Sequence, residues 1–108
     1  VSNSALIVLC TVPDQQTGRT MAREIVANKL AACCNIVPRI KSVYYWEGAV
    51  HEDDETLLII KTNRSSYAGL EKWILDKHPY ETPEIIACKI DEGSKNYLEW
   101  ITETIGSK

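Results

Sequence analysis

The chain contains no glycine-rich phosphate loop, no C-x-x-C pair and no surplus of basic residues. Each gap closes a class of function. Without the loop there is no backbone cradle for nucleotide phosphates, and without the paired cysteines there is no zinc knuckle or dithiol redox motif. A net charge of −3 and a pI of about 5.3 are opposite to the basic footprint that nucleic-acid binding needs. No apolar run approaches the roughly 20 residues that cross a bilayer, and residues 6–10 are too few for the core of a signal peptide. Repeats, linkers and low-complexity segments are also missing. Neither nucleic acid nor a membrane is therefore expected as a partner.

What remains is an ordinary globular composition over 108 residues, which fits a single domain over 1–108 with one core and no need of staples. The four cysteines are Cys10, Cys33, Cys34 and Cys88. All lie in apolar, strand-like contexts, where a free thiol behaves as a small hydrophobe. Cys33 and Cys34 are neighbours, a spacing that strains a mutual disulfide. Four reduced thiols point to a reducing, cytoplasmic compartment.

Residues 5–12 form a β-branched, apolar run long enough for a strand and too short for a helix. Pro13-Asp14 ends it, with Asp14 as N-cap of a helix over 15–32 whose apolar positions are Met21, Ala22, Ile25, Val26 and Leu30. An extended piece over 33–38 follows, and Pro38, which cannot donate to a ladder, predicts a bulge or an edge there. The strand resumes into Tyr44-Tyr45-Trp46, with Glu47-Gly48 and the acidic run 52–55 read as turns of a long central hairpin. A strand over 56–62 leads through Asn63-Arg64-Ser65-Ser66, whose serines can cap a second helix. That helix ends before His78-Pro79, because a residue preceding proline is pushed out of the α region. A fourth strand over 85–90 and a helix over 96–105, with Tyr97, Leu98, Ile101 and Ile105 inward, complete the chain. The order is α+β: a ferredoxin-like βαββαβ with a four-stranded antiparallel sheet and an extra C-terminal helix.

Such a sheet has helices on one face, so its strands should alternate apolar and polar residues. Residues 6–10, 57–60 and 85–88 are instead apolar at consecutive positions. At about 25 cal/mol per Å² of apolar surface, a second face left wet would forgo several kcal/mol. A homo-oligomer is the economical cover.

For chemistry, the segment 77–84 carries His78, Glu81 and Glu84 on a loop stiffened by Pro79 and Pro83, with Cys10 as a distant thiol. Thiol, imidazole and carboxylate suit copper or zinc. The alternative reading of His78 is a helix cap or a solvent-facing residue. His51 with the acidic run is a second cation patch, or simply a solvated hairpin end. Tyr44, Tyr45 and Trp46 could stack bases, but the charge favours packing. No enzyme is indicated: Cys10 sits deep in an apolar strand, where its pKa should rise. Arg19 and Arg23 lie inside a helix, unlike the phosphate-cradling arginine of an acylphosphatase.

The stretches Leu9-Cys10-Thr11-Val12-Pro13, Lys29-Leu30-Ala31-Ala32-Cys33, Tyr44-Tyr45-Trp46-Glu47-Gly48, Lys61-Thr62 and His78-Pro79-Tyr80-Glu81-Thr82-Pro83-Glu84 together resemble the CutA family of divalent-cation tolerance proteins. The resemblance implies a ferredoxin-like homotrimer similar in architecture to the PII signal proteins. It also implies an association with tolerance to copper and other divalent metal ions. A copper site would, on this resemblance, use Cys10 and His78 with Glu84 as third ligand. Where some members carry His-His-Pro-Tyr, this chain has Lys77-His78-Pro79-Tyr80. Two functions are therefore expected to compete: a trimeric copper-binding protein, and a PII-like signalling or scaffold trimer with a small molecule or protein partner between subunits.

Overall fold

The apolar run at the start of the chain becomes the strand β1, Ala5–Val12, and it sits at the interior of the sheet with a neighbour on each side. The computed structural model describes residues 4–106; the ends of the domain expected over 1–108 lie outside the described residues. After β1 come α1 (Gln15–Ala27), β2 (Cys33–Trp46), β3 (Ala49–Asn63), α2 (Arg64–Lys77), β4 (Ile85–Lys89) and α3 (Lys95–Ile105). The sheet order is β2-β3-β1-β4 and every pairing is antiparallel. This is the ferredoxin-like arrangement expected.

Strand alternation divides the sheet into two unequal faces. Val8, Cys10, Val12, Leu58 and Ile60 are buried against Met21 and Ile25 of α1 and Leu70 and Ile74 of α2. Gly18 makes that contact close: a Cβ there would stand 3.2 Å from the Thr56 methyl. The opposite face carries Ile7, Leu9, Leu57 and Ile59, all only half-buried, and Ile86 at 51 % exposure. At one end of that face α3 packs Ile101 and Ile105 against Ala5 and Ala32. Tyr97 does not turn inward as expected; it lies at the rim, 41 % exposed, with its ring against Trp100.

Two boundaries differ from the sequence reading. The helix expected to run to residue 32 stops at Ala27. Lys29 takes a left-handed φ of 57°, and the amides of Lys29 and Leu30 donate back to the carbonyls of Val26 and Ile25. This is a Schellman close with lysine where glycine is usual. The second helix is capped by Asn63, whose Oδ1 accepts from the Ser66 amide at 3.0 Å, rather than by a serine.

The acidic run is not a turn. The reversal is the two-residue loop Glu47-Gly48, both with positive φ, the mirror-image geometry that matches strand twist. Glu52, Asp53, Asp54 and Glu55 are strand residues opposite Val43, Ser42, Lys41 and Ile40. The ladder between β1 and β3 ends at Thr56, so residues 40–55 project as a two-stranded ribbon. The predicted bulge is present between Val37 and Ile40, with Arg39 at a φ of 57°.

Candidate functional site

The ladder between β1 and β4 stops at Cys10 opposite Ile85, one residue short of Thr11. The Thr11 carbonyl accepts instead from the His78 imidazole, with Nε2 at 2.7 Å. The other ring nitrogen, Nδ1, accepts the Tyr80 amide at 3.0 Å. An amide N–H can only donate and a carbonyl can only accept, so the ring is neutral with its proton on Nε2. His78 is buried and its amide closes α2 by donating to the Ile74 carbonyl at 2.8 Å. It is a helix cap, one of the alternatives open from sequence, and it also pins the 79–84 loop to β1.

Cys10 is fully buried on the helix-side face, its thiol directed weakly to the Thr11 carbonyl. Burial pushes its pKa up to about 12, and the Glu84 carboxylate pushes in the same direction. Glu84 itself is exposed and immediately precedes Ile85, the register partner of Cys10. Cys10, His78 and Glu84 thus lie around the end of β1, brought from three parts of the chain. The donor set, however, is closed to a cation in this arrangement: the thiol keeps its proton and both imidazole nitrogens are engaged. Among the described residues, no three His, Cys, Asp or Glu side chains are grouped to hold a metal ion.

Across the sheet end, Tyr80 donates its hydroxyl to Glu55 Oε2 at 2.7 Å, and Tyr44 donates to Asp53. Burial and these carboxylates both raise the pKa of the Tyr80 phenol, which keeps it a donor. His51 does not join the acidic side chains; it stacks on Tyr44 at 5.5 Å and its Nε2 lies 3.1 Å from the Trp46 carbonyl. The role of Glu55 was hidden by reading 52–55 as a turn. The available signal was strand parity, which puts Asp53 and Glu55 on one face with Leu57. All four cysteines are free, and no helix among the described residues is long and apolar enough to cross a membrane.

The comparisons with known proteins agree with one another. The family model described as CutA1 divalent ion tolerance protein matches residues 6–104. The divalent-cation tolerance protein CutA of Thermus thermophilus is 45 % identical over 100 residues, covering 93 % of this chain and 97 % of that protein. A chloroplastic CutA protein of Arabidopsis thaliana is 50 % identical over 97 residues, 90 % of this chain, which spans about half (53 %) of that relative. Among solved structures, a periplasmic divalent cation tolerance protein CutA from Archaeoglobus fulgidus superposes with a TM-score of 0.91 at 35 % identity, covering 94 % of this chain and 99 % of that one. With a family match across nearly its whole length and the ferredoxin-like sheet that its residues build, this chain belongs to the CutA1 divalent ion tolerance family.

Proposed function

We propose that the chain is a non-enzymatic, homotrimeric binder of divalent cations, copper foremost, and that the ion is held by Cys10, His78 and Glu84. The observation that supports this reading is that Cys10, His78 and Glu84 all lie around the end of β1, with the Glu84 carboxylate near enough to bear on the Cys10 thiol; thiol, imidazole and carboxylate suit a soft or borderline ion. Loading the site has two requirements. The Cys10 proton must leave to solvent, so binding strengthens as pH rises. His78 must also give up the Tyr80 amide, so apparent affinity falls below that of an open site. The trimer is supported by the half-covered apolar face around Leu9, Leu57, Ile59 and Ile86, which a second and third copy would bury. Four free thiols favour a reducing compartment such as the cytoplasm, although relatives are named chloroplastic and periplasmic.

Equilibrium dialysis against copper tests the site with Cys10→Ser, His78→Ala and Glu84→Gln variants. Lost stoichiometry supports it, and unchanged stoichiometry in all three removes these residues. Sedimentation of Ile86→Asp tests the assembly: a shift toward single copies is expected. The second reading, a PII-like signalling or scaffold trimer, is favoured by the open apolar groove of about 590 Å³ between α1 and β2, lined by Ala22, Val26, Cys34 and Ile36. Saturable binding from a nucleotide and metabolite panel, without copper binding, would select it.

A further inference from the structure

We infer that the groove between α1 and β2 is a docking site for an extended, acid-bearing peptide, which adds as a further strand to the free edge of β2. The inference rests on the second reading above, a scaffold with a protein partner, and is independent of the copper site. All of the groove's lining comes from α1 and β2. It therefore lies on the outer flank of the sheet, where β2 has β3 on one side and, among the described residues, no strand on the other. Cys34 and Ile36 stand opposite Ile60 and Leu58 on the helix-side face, yet both are only half-buried. Helix α1 turns Met21 and Ile25 toward the middle of the sheet and leaves Val26 37 % exposed above the edge.

Edge strands usually carry proline, charge or a bulge that keeps other chains from pairing with them. β2 has all three, but only beyond Val37: Pro38, Arg39, Lys41 and the irregularity between Val37 and Ile40. Residues 33–37 have none of these, and that unguarded stretch is the one beside the groove. Alternate amides and carbonyls there point away from β3. A strand laid along them gains main-chain hydrogen bonds, and every second side chain drops between α1 and β2. A free apolar molecule could use the floor but not those donors and acceptors. The floor itself is uncharged, because burial holds the Cys34 thiol protonated. Charge comes from the wall. Arg19 and Arg23, one turn apart on α1, are both exposed, and neither is in an ion pair among the described residues. Glu24 is the acid beside them, outnumbered two to one. Guanidinium forks favour carboxylates, so the partner carries acids next to its apolar residues.

The probe is a short synthetic peptide, blocked at both ends, with valines at alternate positions and two aspartates at one end. Fluorescence anisotropy should show saturable binding, one peptide per chain. Arg19→Gln combined with Arg23→Gln should weaken it about tenfold, the scale of a charge-assisted hydrogen bond. Val26→Asp should bring it below detection. All three positions are exposed, so the variants are expected to fold, and a urea melt checks it. Methylating alternate amides of the peptide gives two further probes, one blocked toward β2 and one toward solvent; only the first should lose binding. Hydrogen exchange at residues 33–37 should slow when the parent peptide is bound. Equal behaviour of the two methylated probes overturns strand addition. Exchange at 33–37 that is already slow without peptide, and quickens on dilution, assigns the edge to a second copy and overturns the peptide. A saturated acyl carboxylate that binds as tightly as the peptide overturns it as well. If the peptide fails while a metabolite binds and is lost in Val26→Asp, the groove stands as a small-molecule site and the strand partner is overturned. If neither binds, the scaffold reading falls with it.

Discussion

The third strand passes through two environments, and their contrast explains much of the molecule. From Thr56 to Asn63 it pairs with β1, with β2 on its other side over residues 57–61, and helices pack on Leu58 and Ile60, which are fully buried. From Ala49 to Glu55 it has one neighbour and no helix, with Val50 70 % exposed across from Tyr45 at 72 %. The same strand is thus core at one end and a bare ribbon at the other. The ribbon is shaped by backbone pairing and exposed polar and aromatic contacts such as Tyr44 with Asp53 and His51, while the core half is held by side-chain burial.

The largest test of that contrast is truncation in the two halves. Leu58→Ala should lose about 2–5 kcal/mol in urea unfolding, whereas Val50→Ala, away from any packed neighbour, should stay within about 0.5 kcal/mol. A Val50 cost approaching that of Leu58 would mean that another copy covers the ribbon. Next in size is an alkaline effect confined to the packed half. Burial, aided by Cys33, pushes the Cys34 thiol from 9.0 up to about 12, so the native chain keeps a proton that the unfolded chain has released. Stability from this group is complete below pH 9.0 and is lost as pH climbs toward 12, at about 1.4 kcal/mol per pH unit. Cys34→Ala should lessen the decline in melts recorded above that pH, with the share from the similarly raised Cys10 thiol remaining.

Smaller still is the cap of α2. Asn63→Ala removes the acceptor for Ser66 and should cost about 1 kcal/mol. Least of all is the ribbon's ion pair: Lys41 and Asp54 meet at 2.6 Å but their side chains are 66 % and 67 % exposed. Lys41→Ala should change stability by less than about 0.5 kcal/mol, and that little should vanish in high salt.

Legibility followed the same divide. The core strand β1 and the end of α2 were readable because an apolar run and a His-Pro step are strong local signals. The acidic run was misread because four consecutive acids look like turn chemistry. Their pairing is imposed by Glu47-Gly48, whose tight reversal leaves residues 52–55 nowhere to go but opposite 40–43. The end of α1 was hidden because Leu30 continues the helical spacing while Lys29 adopts a conformation that glycine normally announces. His78 could be listed with Cys10 and Glu84 on chemical grounds, but its partner Thr11 is 67 positions away. Only the assembled sheet brings them together.

The irregularity at Pro38 and Arg39 works as a phase shifter. One residue more on β2 than on β3 puts Val37 and Ile40 on the same side of the sheet, opposite Leu57 and Glu55. Deleting either residue would leave a single residue facing Thr56, with Val37 still opposite Leu57 and Ile40 still opposite Glu55, so Tyr44 would keep its place beside His51 and only the local kink would go. A one-residue deletion confined to 38–39 would therefore straighten the strand without changing which aromatics meet the acids.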